Sequence, residues 1–319
     1  MMAKKRIYII VGPTASGKTA LSIACARAIN AEIISADSMQ IYTEMNIGTA
    51  KPTVSEMDGV THHLLDFVPP SDGTFNVTKF RAAAEQCIEE IYAKGKKPLI
   101  VGGTGLYINS LIFPLGFTEV EPNDELRAEL NALEASQPGI LHGRLREVDP
   151  VTADRLHPND TKRLVRALEV FVQTGRPLSA FGNDFANTQN NECPYDASII
   201  GITMPRELLY ERINKRVDRM LENGLLNEVD GLIGKGYDPA LPAMQGIGYK
   251  QLIAYRNGIY SHDEAIETIK RETRRYAKRQ ITWFKRDKRI RWIDAAEFID
   301  PVEMQEYAIK LLTESEKCE

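Results

Sequence analysis

The sequence predicts an α/β fold, a parallel sheet core flanked by helices and carrying an all-helical insertion domain. Three observations point to it. The apolar run Arg6-Ile7-Tyr8-Ile9-Ile10-Val11 enters a glycine-rich turn, Gly12-Pro13-Thr14-Ala15-Ser16-Gly17-Lys18-Thr19, and helix-forming residues Ala20-Leu21-Ser22-Ile23-Ala24 follow at once. Short apolar runs then alternate with helical periodicity, which indicates strands in parallel, covered on both faces. From about Thr118 the strand-like runs stop until Ala197-Ser198-Ile199-Ile200-Gly201-Ile202-Thr203 resumes the sheet.

The first turn fits G-x-x-x-x-G-K-[ST], in the strand–loop–helix context that makes the pattern a physical site, so the core is expected to be P-loop NTPase-like. Its inward amides and the helix N-terminus favour a polyphosphate. Lys18 would meet the terminal phosphate oxygens and the Thr19 hydroxyl would hold a magnesium ion bridging them. Glu32-Ile33-Ile34-Ser35 reads as the second strand, ending at Asp37-Ser38. Between Asn76 and Lys94, the helical spacing of Phe80, Ala84, Ile88 and Ile91 predicts a helix with Asn76 as N-cap and Gly95 as stop. Pro98-Leu99-Ile100-Val101 is the third strand. Because ligands of such sheets sit outside the carboxyl ends of the strands, Asp37 and Thr104 fall on the same rim as the phosphate loop.

Asp124 to Ser136, Leu141 to Val148 and Asp160 to Thr174 read as helices, the last stopped by Gly175 and Pro177. A polar, Asn-rich stretch from Gly182 to Glu192 leads back to the sheet. The expected division is therefore 1–118 for the catalytic core, 119–195 for the insertion and 196–319 for the rest of the core with basic C-terminal helices. Within that last part, Arg206 to Leu221 and Asp263 to Phe284 are expected helices and Arg289 to Ile293 an edge strand.

Composition narrows the class. Cys25, Cys87, Cys193 and Cys318 form no C-x-x-C pair, so neither a zinc site nor a disulfide framework is indicated. The basic N-terminus runs into a buried strand and not a signal peptide, and no apolar stretch approaches the roughly 18 to 20 residues that cross a bilayer. A cytoplasmic protein with no membrane association is expected. Net charge is −4, yet eleven Lys and Arg stand against Glu272 and Asp287 between Lys270 and Arg291, which marks a basic face.

Asp37, beside the phosphate site, would repel phosphates unless it faced the other reactant, which makes it a general-base candidate. An aspartate here is also the type that caps a turn through its own backbone. Gly102-Gly103-Thr104-Gly105-Leu106-Tyr107 is a second glycine turn on the rim. Arg212 and Arg216 share one helical face with Arg219 close by, so either could close over leaving phosphates, or both could be solvated. Interleaving of Ile269, Tyr276, Ile281 and Phe284 with basic residues lets one helix face pack while the other follows a phosphate backbone. His62 and His63 have no third donor at metal spacing and read as structural. No Walker B aspartate follows Leu99-Ile100-Val101, which disfavours a motor-type ATPase.

Together these residues resemble the tRNA dimethylallyltransferase family, bacterial type, over nearly the whole chain. The resemblance rests on Gly12 to Thr19, Ile34 to Tyr42, Asn46 to Pro52, His62 to Asp66 and Val101 to Tyr107. It continues through His157 to Asp160 with Arg163, Arg166 to Glu169, Gly246 to Lys250 and Lys278 to Trp283. The Cys/His zinc finger of eukaryotic members is missing. The resemblance implies transfer of the dimethylallyl group of dimethylallyl diphosphate to N6 of the adenosine 3′ of a tRNA anticodon. Asp37 would be the base, with Lys18, Thr19 with its Mg²⁺, and Arg212 or Arg216 stabilising the diphosphate held by Gly12 to Thr19. It further implies tRNA contacts at Asp37, Ser38, Met39, Gln40, Thr104, Arg127, Asn159, Asp160, Lys162 and Arg163. Gln245, Gly246, Gly248, Tyr249, Lys250, Lys278, Arg279 and Gln280 complete that set. A monomer is expected. Three other readings stay open: a small-molecule kinase, a prenyltransferase acting on free adenine nucleotide, and an RNA-binding module with a vestigial loop.

Overall fold

The computed structural model describes residues 4–113, 120–181 and 193–314. The chain divides into two compact units, Met1–Ile112 with Cys193–Glu319, and Phe113–Glu192. The expected Asn-rich stretch from Gly182 to Glu192 and Cys318 lie outside the described residues.

The first unit is built on six strands, β1 (Arg6–Val11), β2 (Ala31–Ser35), β3 (His62–His63), β4 (Lys97–Gly102), β5 (Asp196–Thr203) and β6 (Arg291–Asp294). They form one sheet in the order β3-β2-β4-β1-β5-β6. Every pairing is parallel, with Ile9 opposite Ile100 on one side and Ile199 on the other. Both faces of such a sheet are covered, which is why β1 is apolar from Ile7 to Val11 and every residue of β2 is buried. The chain leaves central β1 for β2 on one side and later returns to β5 on the other, so a crevice opens at the carboxyl end of β1. β3 carries no sequence signal, because two histidines are too few to show a period.

In chain order the helices begin with α1 (Lys18–Ile29), α2 (Val54–Met57), α3 (Val77–Ala93) and α4 (Gly105–Ile112). The second unit supplies α5 (Asp124–Ser136), α6 (Ile140–Val148), α7 (Pro150–Arg155) and α8 (Thr161–Thr174). The first unit resumes with α9 (Arg206–Glu222), α10 (Leu225–Gly234), α11 (Tyr249–Arg256), α12 (His262–Phe284) and α13 (Pro301–Thr313). Asn76 caps α3 by accepting from the amides of Thr78 and Lys79, and Ser261 with Glu264 forms a reciprocal capping box on α12. The eight-residue α11 lacks a readable period, and α10 is short and carries Gly231 and Gly234. No helix among the described residues is long and apolar enough to cross a membrane.

Leu21, Cys25 and Ile29 of α1 pack on Tyr8, Ile10, Ile33 and Leu99 of the sheet, joined by Ala308 and Leu312 of α13. Burial of each large aliphatic side chain here stabilises the fold by about 1.5–3 kcal/mol. Phe80 of α3 stacks on Tyr107 of α4 at 4.0 Å between centroids. A separate cluster, including Ile41, Met45, Val217, Leu225, Met244, Tyr249 and Ile269, fastens the segment after β2 to α9–α12. Within the second unit, Leu130, Leu141, Leu145, Leu164 and Leu168 form the core. There the fully buried Glu169 accepts from Arg127 at 2.8 and 3.0 Å and from Arg166 at 2.6 Å. Burial alone would raise its carboxyl pKa, but Arg127, the Asn123 amide and Arg166 bring the net shift down.

Candidate active site

The turn after β1 is anchored at Gly17, whose φ of 92° lies in the left-handed region and forms the N-cap of α1. Lys18 follows it, and its ammonium donates to the Pro13 carbonyl at 2.7 Å. Burial, the largest influence, and Arg216 lower the Lys18 pKa, Asp37 works against them, and it settles at about 8. A phosphate brought within reach would replace a neutral carbonyl by an anion as the partner of this amine. The Ser16 hydroxyl is buried in the same loop and has no hydrogen-bond partner. A bound oxyanion would satisfy it.

A cavity of about 660 Å³ opens over this loop, lined by residues 14–20 and by Asp37, Arg216 and Tyr276. The rim inference is thereby met for Asp37, which leaves β2 two residues after Ser35. Asp37 also caps its own turn: Oδ1 accepts from the Met39 amide at 2.9 Å and the Gln40 amide at 3.3 Å. The turn-capping and site readings are both realised, because the bonds that orient the carboxylate fall on one oxygen. Thr104 lies outside the cavity lining and braces the turn instead, its Oγ1 accepting from the Ser38 amide at 3.0 Å. Gly102 permits this closeness, since a Cβ there would stand 2.1 Å from the Ala36 carbonyl oxygen.

The structure separates the two arginines that helical phase left open. Arg216 lines the cavity and donates to Thr14 Oγ1 at 3.1 Å. Burial lowers its pKa while Asp37 works the other way. Arg212, expected as a catalytic residue, is exposed and not part of the lining. One helical turn along α9 carries it past the cavity although it shares the face.

Gln280, expected among the tRNA contacts, lines the cavity and also has a structural role. It is buried, its Oε1 accepts from the Thr14 amide at 2.9 Å and its Nε2 donates to the Gly103 carbonyl at 2.9 Å. Thus α12 is riveted to both glycine turns. Tyr249 is likewise fully buried, and Arg127 is held by Glu169. Gln245, Lys250, Lys278 and Arg279 are exposed in the first unit, and Asn159, Lys162 and Arg163 in the second, where Arg163 pairs with a partly buried Asp160. Ser38, Met39, Gln40, Gly246 and Gly248 line the cavity. His62 and His63 are structural, bonded to the Val60 carbonyl and to Glu32. No cluster among the described residues could hold a metal through His, Cys, Asp and Glu.

Sequence reasoning missed an apolar wall. Ile23, Val101, Val217, Met220, Leu225 and Ile269 line the same cavity as the phosphate loop. They come from α1, β4, α9, α10 and α12, so no local pattern marks them. Tyr276, noted only as an aromatic in a basic helix, also borders the cavity, where burial and then the Asp37 carboxylate raise its phenol pKa. The arrangement can hold an anion, seat a hydrocarbon beside it and offer a carboxylate to a third group.

Comparison with known proteins agrees with this chemistry. The family model described as IPP transferase matches residues 40–287. The tRNA dimethylallyltransferase of Acetivibrio thermocellus is 50% identical over 294 residues, covering 92% of each chain. That of Symbiobacterium thermophilum is 51% identical, over 91% of this chain and 90% of the relative. Among solved structures, the tRNA delta(2)-isopentenylpyrophosphate transferase of Staphylococcus epidermidis superposes with a TM-score of 0.72 at 42% identity, over 98% of this chain and all of the other. A eukaryotic dimethylallyltransferase acting on tRNA gives a TM-score of 0.76 at 30% identity, over 95% of this chain and 77% of its own. With a matching family model over most of its length and relatives about half identical over some nine-tenths of it, this chain belongs to the IPP transferase family.

Proposed function

We propose that this protein is a tRNA dimethylallyltransferase that prenylates N6 of the adenosine immediately 3′ of the anticodon. The observation that carries the reading is a single cavity in which phosphate-loop cations, a carboxylate and an apolar wall meet. A kinase would share the first two features, and the apolar wall is what suits a hydrocarbon donor to this cavity. The relatives bearing the same activity in their names support the tRNA acceptor over a free nucleotide.

The chemistry follows from the residues. Carbon 1 of the dimethylallyl group bonds to N6 as its bond to the diphosphate oxygen breaks. The proton leaving N6 passes to Asp37, which the amides of Met39 and Gln40 orient. Charge gained by the departing diphosphate is met by Lys18, Arg216, the loop amides and the Ser16 hydroxyl. Magnesium fits the cradle, since Thr19 lines the cavity at the first turn of α1, and a bound ion would neutralise diphosphate charge. The acceptor adenine must be swung out of its stack at a cost of a few kcal/mol. Exposed Lys278 and Arg279 on α12 supply sequence-independent attraction to the tRNA backbone. We take the protein to act as a cytoplasmic monomer.

Incubation with labelled dimethylallyl diphosphate and unmodified tRNA, AMP or ATP tests the proposal. Label is expected in tRNA alone, and transfer to a free nucleotide in its place would overturn the reading. Asp37→Ala should retain tRNA binding and lose transfer by about 10² to 10⁴-fold.

A further inference from the structure

Glu228 on α10 organises one wall of the cavity without lining it. Its Oε2 accepts the amide of Asn46 at 2.9 Å and that of Ile47 at 2.8 Å. Its Oε1 accepts the Gly48 amide at 3.1 Å and the Tyr249 hydroxyl at 2.7 Å. Three consecutive amides turned toward one anion make the concave geometry that elsewhere binds phosphate, and here the anion is the protein's own.

The segment so held continues into the cavity. Gly48, Thr49 and Ala50 line it, as do Gly246 and Gly248 on the approach to Tyr249. Gln40 Nε2 donates to the carbonyls of Thr49 at 3.2 Å and Ala50 at 3.0 Å. The Gln40 amide in turn donates to Asp37 Oδ1. A short bonded route therefore runs from Glu228 through residues 46–50 and Gln40 to Asp37.

We infer that Glu228 is a positioning residue for the transfer reaction, an internal anion that holds residues 46–50 folded and so fixes the turn carrying Asp37. The inference rests on the proposed prenyl transfer. A carboxylate is required because both of its oxygens must accept. In Glu228→Gln the single remaining oxygen does best facing Asn46 and Ile47, and the new amide group then faces the Tyr249 oxygen, which can accept. The Gly48 amide, on the cavity wall, is left without its partner.

Single-turnover transfer should be measured for wild type, Glu228→Gln, Gln40→Ala and the double variant, with tRNA affinity and melting followed in parallel. Displacement of a base by a fraction of an ångström to an ångström costs up to about 10²-fold, so Glu228→Gln should lower the transfer rate by about 10- to 100-fold. Its tRNA affinity should hold within about twofold, since the exposed cations are untouched. If both side chains act along one route, the double variant loses little more than the worse single variant, whereas independent structural damage would multiply. An unchanged rate in Glu228→Gln, or multiplying losses, overturns the inference. Should Glu228→Gln not fold, Tyr249→Phe removes one of the four bonds and keeps the ring; a several-fold slower transfer is expected and an unchanged rate overturns the inference. Wild type that transfers nothing to tRNA would refute the functional proposal itself, a distinct outcome.

Discussion

Replacing Lys18 with methionine should make the ligand-free protein more stable while disabling it. The amine is lowered from 10.5 to about 8, with burial as the largest cause. A lowering of that size corresponds to about 3 kcal/mol of penalty for carrying the charge in the folded state. The bond to the Pro13 carbonyl, lost in the variant, offsets about 1 kcal/mol. Lys18→Met should therefore gain about 2 kcal/mol at pH 7. Below about pH 8 the amine is protonated in both states and the wild-type penalty is whole. Between pH 8 and 10.5 only the folded state releases the proton, so wild-type stability rises with pH and the gap closes. Calorimetry of both ligand-free proteins at pH 7 and pH 9.5 measures this, and the transfer assay registers the lost diphosphate contact. A variant less stable than wild type at pH 7, or a gap that does not narrow at alkaline pH, would refute the view that the loop holds a charge in reserve for its ligand.

Further outcomes follow from the same geometry. Arg216→Ala should raise KM for dimethylallyl diphosphate by about 10- to 100-fold, the scale of one charge-assisted bond, whereas Arg212→Ala should stay within about twofold; steady-state kinetics distinguishes them. Replacing Lys278 and Arg279 by alanine should flatten the plot of log affinity for tRNA against log salt by about one unit per cation, read by titration at several ionic strengths. Glu32, nearly buried, accepts from His63 at 2.7 Å, Lys94 at 3.0 Å and Lys96 at 2.9 Å. Burial would raise its carboxyl, but these three partners outweigh it and hold it near 2. A depressed carboxylate stabilises above its unfolded pKa and ceases to as pH falls, so Glu32→Gln should be less stable at pH 7 and the difference should vanish between pH 4.5 and 2 in acid unfolding.

Chemistry that depends on residues adjacent in the chain was legible without coordinates. The run from Arg6 to Thr19 specifies strand, turn and helix by local apolarity, glycine and propensity, and Asn76 with Gly95 brackets α3 by caps that act within a few residues. Asp37 could be placed on the rim because parallel strands all end on one side. What tertiary structure alone decided lies between residues far apart in sequence. The choice of Arg216 over Arg212 turns on how far α9 runs past the loop, and Gln280 becomes a rivet only because α12 lies across turns more than 170 residues earlier. The apolar wall draws on five elements, and the Glu228 carboxylate meets amides some 180 residues upstream. Secondary structure follows from short-range sterics and periodicity, while a cavity is the space left where separately formed surfaces meet.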